Sequence, residues 1–185
     1  MEAAGRDARR HRVSNTFPRN FIANLQTALL SSAVLATRFF KYWLPVVLWM
    51  ILIFGGSTNL GAPKNTSRII GPFLHWLVPT ISDQTVERVQ FAVRKCGHLT
   101  EYAILGLLLW RARRNSLNMQ TKGWRWSTAG FAILVSATYA ATDEFHQYFV
   151  STRQASVWDV LIDTTGATVG MILLWKLGGW FKCWE

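Results

Sequence analysis

Disulfide-forming cysteine is nearly missing from this 185-residue chain: Cys96 and Cys183 are the two present. Two cysteines cannot build a disulfide framework, so the fold has to rest on another source of cohesion. Charge is also scarce, at 16% of residues, and acids are half as numerous as bases, with 10 against 20. The amino-terminal stretch runs through Arg6, Arg9, Arg10, Arg12 and Arg19 without an early apolar core, which is not the pattern of a cleavable signal. Finger, homeodomain-like and RNA-binding aromatic motifs are missing too, so the net charge of +10 is not read as a nucleic-acid footprint. Anionic lipid headgroups are the expected partner of that charge.

What is plentiful is apolar sequence, half of all residues, arranged in stretches without charge. The basic residues flank these stretches, and the ten tryptophans lie mostly beside their boundaries. Chains that live in lipid show this distribution, because aromatic rings and cations prefer the headgroup level. Four spans are predicted, at about 39–54, 96–110, 126–142 and 157–175. Each is shorter than the roughly 20 residues that cross a hydrocarbon core, so the flanks contribute or the bundle is locally thin. Lipid cannot satisfy the backbone edges of open strands, which leaves helices.

The expected fold is therefore all-α: an integral membrane bundle of four short transmembrane helices, with an interfacial helix near the amino terminus. Residues 1–38 form a basic cytoplasmic tail plus that interfacial helix, since Asn24, Gln26, Thr27, Ser31 and Ser32 dilute the apolar content of 21–37. A transmembrane domain follows over 39–177 and a short cytoplasmic tail over 178–185. Between the first two spans, Gly61, Pro63, Gly71, Pro72 and Pro79 read as turn residues around an apolar patch at 73–78, and 82–93 reads as a short surface helix. Gly166 and Gly170, four apart, permit close approach of a neighbouring backbone.

Orientation follows from the basic residues, fourteen of which fall in the amino-terminal segment through Lys41, the 111–125 loop and the carboxy terminus from Lys176. The positive-inside rule then places both termini in the cytoplasm and the 57–95 and 143–158 connections outside. Cys96 and Cys183 fall on opposite sides, which excludes an internal bridge.

Five of the ten acids gather near the outer ends of the later spans: Glu101, Asp143, Glu144, Asp159 and Asp163, accompanied by His98, His146, Gln147 and Arg153. Ionisable groups in hydrocarbon cost several kcal/mol unless paired or hydrated, so their gathering marks a site. Helical spacing puts His98, Glu101 and Tyr102 on one face, Tyr139, Asp143 and Gln147 on a second, and Asp159, Asp163 and Gly166 on a third. Turned inward, the three stripes line an outward-opening polar pocket. The candidate catalytic groups are His98 as base or nucleophile, Glu101 or Glu144 as acid, and Asp143. The candidate substrate-binding groups are Tyr102, Gln147, Arg153, Asp159 and Asp163, with Arg153 as an anchor for phosphate or carboxylate. A metal site from His98, Glu101, Asp143, Glu144 and His146 has suitable donors but no ligand spacing such as His-Glu-x-x-His, and no cofactor is expected. The same charges also admit a bland role, pairing His98 with Glu101 or Glu144 and Arg153 with Asp143 or Asp159 to hold helices together.

The run Lys95-Cys96-Gly97-His98-Leu99-Thr100-Glu101-Tyr102, then Asp143-Glu144-Phe145-His146-Gln147-Tyr148-Phe149, Arg153, Asp159 and Gly166 resembles the VanZ-like family of bacterial membrane proteins. In that family Lys/Arg-x-x-His-x-x-x-Tyr precedes Asp-Glu-x-x-Gln-x-Phe, an Arg, and Asp-x-x-x-Asn-x-x-Gly. The resemblance covers about 43–175, and Asp163 stands where the family usually carries asparagine, adding a potential negative charge. It implies a bacterial plasma-membrane, cell-envelope setting and takes its name from a member associated with low-level teicoplanin resistance. It implies no established reaction. Three function classes remain: an enzyme acting on a lipid-linked or cell-wall intermediate, a non-enzymatic lipid or partner binder, and a small transporter. Membrane lipids are the expected partners, and nothing in the sequence speaks to oligomeric state.

Overall fold

The computed structural model describes residues 19–58, 63–116, 123–150 and 155–184. Among these the fold is all-α: α1 Arg19–Ser57, α2 Pro63–Leu77, α3 Asp83–Ser116, α4 Trp126–Gln147 and α5 Val157–Trp180. The chain divides into two compact units, Met1–Thr37 and Arg38–Glu185. In the first unit, the hydroxyls of Thr27, Ser31, Ser32 and Thr37 donate to carbonyls three or four residues back. These bonds satisfy the hydroxyls within the helix, and 21–37 belongs to the same helix as the first predicted span rather than to a separate one.

Two further expectations are corrected. The 57–94 connection is not a loop with turns at Gly71 and Pro72, because both lie inside α2. Pro72 costs α2 the hydrogen bond its missing N–H would make, and Gly71 faces the Gln90 amide of α3 at 3.6 Å from a would-be Cβ. The surface helix at 82–93 and the span at 96–110 are one continuous α3, since no glycine or proline pair separates them and Gly97 alone does not break a helix. Ser82 caps its start, accepting from the Thr85 amide at 3.3 Å.

Helix directions in the second unit follow from pairs of contacts. Trp43 and Trp49 of α1 donate to Ser116 Oγ and the Glu101 carbonyl of α3, so these helices are antiparallel. Met50 and Ser57 of α1 meet Tyr139 and Asp143 of α4 in ascending order, so that pair is parallel. Lys95 and His98 of α3 meet Asp159 and Asp163 of α5, again in parallel. The four helices thus alternate in direction as an up-down bundle does.

Packing is tightest between α3 and α5. A Cβ on Gly166 would lie 2.3 Å from the Leu99 carbonyl oxygen, and one on Gly170 3.0 Å from that of Ala103. The glycine pair therefore brings two helix backbones together. Around this seam the core is built from small side chains and a few large ones, with Ala112, Ala132, Ala140 and Ala167 beside Tyr102, Leu105, Leu109 and Met171. Large aliphatics such as Leu48, Ile51, Leu134, Leu161 and Leu173 are exposed, while Ser136, Asp143, Glu144, Gln147 and Asp163 are buried. Water favours the reverse arrangement; a hydrocarbon surrounding favours this one. Two helices, over Asn24–Ser57 and Val157–Trp180, are long and apolar enough to cross a membrane by length and composition, against the four spans expected. The inward polar residues of α3 and α4 lower the mean hydropathy of those two helices.

One end of the bundle is closed by indoles. Trp124 stacks on Trp110 at 5.7 Å and meets Trp184 at 5.4 Å, while Trp126 meets Trp175 at 5.3 Å. Trp184 returns there through a turn in which Lys182 has φ 51°, and its Nε1 donates to the Trp175 carbonyl at 3.0 Å. Arg113 covers Phe131 and Arg114 covers Trp110 from the same end.

Candidate functional site

The opposite end holds the polar residues. His98 lies midway along α3, where its one-turn spacing from Lys95 turns both side chains toward α5. His98 Nδ1 is 3.2 Å from Asp163 Oδ1, and Lys95 Nζ donates to Asp159 Oδ1. Asp159 and Asp163 are one turn apart on α5, so Lys95 and His98 of one helix meet two carboxyl groups of the next in register. Asp163 is fully buried, which fits the absence of a side chain at Gly166 one turn further on: the helices touch closely enough to exclude everything but the imidazole.

Tyr102, one turn beyond His98, is also fully buried, and its ring centroid lies 6.4 Å from that of Tyr139. Tyr139 donates to the Met50 carbonyl at 2.6 Å, whereas the Tyr102 hydroxyl has no partner among the described residues. On α4, Asp143 Oδ2 accepts from Ser57 Oγ at 2.5 Å and from Gln147 Nε2 at 3.1 Å, and its Oδ1 has no described partner. Glu144 Oε2 accepts from the Ser156 amide at 2.8 Å, tying the end of α4 to the start of α5; Oε1 is buried without a described partner. Buried oxygens of this kind cost about 1–3 kcal/mol each.

The sequence-predicted residues thus separate. His98 and Asp163 are brought into contact, as are Asp143 and Gln147, and Tyr102, Glu144 and Asp159 lie on the same three helices at neighbouring turns. Glu101 is half-buried and its backbone carbonyl anchors Trp49. His146 turns aside from Asp143 and lies against Phe54 with ring centroids 4.4 Å apart. Arg153 lies outside the described residues. His98 meets Asp163 and Asp159 meets Lys95, two pairings the sequence reading did not single out, while those expected of Arg153 lie outside the described residues. Parallel α3 and α5 bring 98 beside 163, a register that charge types do not encode. Among the described residues no three of His, Cys, Asp and Glu are grouped to hold a metal ion.

Two partners escaped the sequence reading. Ser57, taken as the first loop residue, is the last of α1 and 4% exposed on Asp143. Lys95, part of the motif run but not chosen as a site residue, neutralises Asp159; its spacing to His98, the same helical face, was the available signal.

The VanZ/LLP1 family model matches residues 40–181. This chain belongs to the VanZ-like family. No curated protein and no solved structure matches it. The matched segment contains every residue of the polar end of this VanZ-like bundle, and it begins just beyond the Met1–Thr37 unit. At the position where the resemblance led us to expect asparagine, this VanZ-like protein has the buried Asp163 facing His98.

Proposed function

We propose that this VanZ-like protein is a four-span bacterial plasma-membrane protein with both termini in the cytoplasm, and that its polar end acts on a lipid-linked or cell-wall component at the outer leaflet. The observation that carries the reading is the pair of His98 with the fully buried Asp163, Nδ1 to Oδ1 at 3.2 Å. A buried carboxyl against Nδ1 orients the ring, which suits Nε2 to take a proton from a substrate hydroxyl or from water. Tyr102, Asp143 and Glu144 supply polar atoms without described partners beside it, the groups a bound headgroup would satisfy. Alternating helix directions and the exposed large aliphatics support four spans, and the basic loops support the orientation.

Incubating the purified protein in lipid nanodiscs with lipid-linked wall precursors, and following products by mass spectrometry, tests the activity. Turnover by the wild type, falling about 10²–10⁴-fold in His98→Ala, is expected. A broad precursor screen without product sinks it. The buried polar atoms also favour a second reading, recognition without chemistry, in which precursor binding persists with no turnover and survives His98→Gln. Teicoplanin susceptibility of cells with and without the gene addresses the family-associated phenotype.

A further inference from the structure

Between the end of α4 and the start of α5 lies a groove of about 560 Å³. Ala141, Glu144, Phe145 and Tyr148 line it from α4, one face at helical spacing, and Val157 and Val160 line it from α5. Its walls are apolar apart from Glu144, the Tyr148 ring edge and the Ser156 turn. It is open, with Phe145, Tyr148 and Val157 68%, 75% and 78% exposed. Walls this apolar select a ligand with a long apolar tail.

Glu144 selects the other end of that ligand. It is 5% exposed, one oxygen is engaged by the Ser156 amide, and the second is buried without a described partner. A carboxyl oxygen that only accepts calls for an N–H or O–H donor. We infer that the α4–α5 groove is a lipid-binding site, holding the tail of an amphiphile whose head donates a hydrogen bond to Glu144. The inference rests on the reading above that the protein is bilayer-embedded and takes a lipid-borne component, and it names that component's shape: hydrocarbon tail and donor-bearing head. The groove also gives the tail a place apart from the His98–Asp163 pair, with Glu144 at the junction.

Native mass spectrometry of the full chain, exchanged from nanodiscs of phosphatidylethanolamine or of phosphatidylcholine, tests it. These two heads carry the same net charge, but only the first has N–H donors. The wild type is expected to retain phosphatidylethanolamine at least tenfold better than phosphatidylcholine. Ala141→Trp and Val157→Trp, both at exposed positions that tolerate bulk, are expected to lower retention at least tenfold. Glu144→Gln, which turns the accepting oxygen into a donor, is expected to erase the preference while keeping the tail bound. Equal retention of both lipids by the wild type, or wild-type retention in both tryptophan variants, overturns the inference. Turnover lost in His98→Ala with lipid still bound by Ala141→Trp refutes the groove alone. The full retention pattern without product from any precursor refutes the chemistry alone.

Discussion

The Leu99 carbonyl oxygen occupies the space beside Gly166 so completely that a Cβ there would meet it at 2.3 Å. The atom is backbone, within α3, and cannot swing aside as a side-chain end would. The contact sets the distance between α3 and α5, and that distance sets the approach of His98 to Asp163.

Gly166→Ala should therefore push the two helices apart, costing about 1–3 kcal/mol as overpacking does. Gly130 of α4 is the control, since a Cβ there meets nothing within 4 Å. Gly130→Ala should leave stability unchanged or raise it by about 0.5–1 kcal/mol through lower chain entropy. Thermal unfolding in detergent of both variants checks the contrast; equal behaviour would show that the α3–α5 seam is not tight.

The His98–Asp163 pair should show strong non-additivity. His98→Ala alone leaves the buried Asp163 carboxyl without its imidazole partner and should cost about 1–3 kcal/mol. Asp163→Asn in the same background replaces that carboxyl with a neutral amide, so part of the loss should return. A double-mutant cycle in detergent unfolding reads the coupling, expected at 0.5 kcal/mol or more in magnitude, about the lower bound for contacting residues. Additive losses would mean the two side chains do not meet.

Ser57 is tested by subtraction of one atom. Ser57→Ala removes the donor to Asp143 Oδ2 at 4% exposure, and a buried charged acceptor that loses a donor should cost about 1.5–3 kcal/mol. Ser31→Ala, an exposed hydroxyl bonded only to the Ala28 carbonyl, should fall within about 0.5 kcal/mol of wild type. Matching losses at the two positions would argue against a built hydrogen-bond cluster at the end of α1.

Much of this site was legible because its signals are local. One-turn spacing put His98 with Tyr102 and Asp159 with Asp163, and the structure keeps those faces. Helical class followed from apolar stretches, and Gly166 with Gly170 announced a close helix contact. Pairing between helices was not legible: which base meets which acid depends on the relative register of α3 and α5, set by where Leu99 docks on Gly166. Helix ends were misjudged where punctuation residues are tolerated. Pro72 and Gly71 lie inside α2, and Gly97 inside α3, because a single residue's propensity is a weak signal that the surrounding helical sequence outweighs. Ser57 was missed because the predicted span ended at 54, short of the end of α1.

The proposed topology makes a sharp chemical prediction from the two cysteines, both free and exposed. In a Cys96→Ser, Cys183→Ser background, Asp83→Cys places a thiol at a side chain 96% exposed, at the start of α3 and on the proposed outer side. A membrane-impermeant maleimide added to intact cells should label that thiol, because the loop basic bias orients 57–95 outward. Cys183, restored alone, should label only after the membrane is permeabilised, since the indole-closed end carries the arginines of 111–125 and so faces the cytoplasm. Labelling of both thiols from one side would mean that α3, α4 and α5 do not cross the bilayer an odd number of times, and the outward site would then lose its access to envelope substrates.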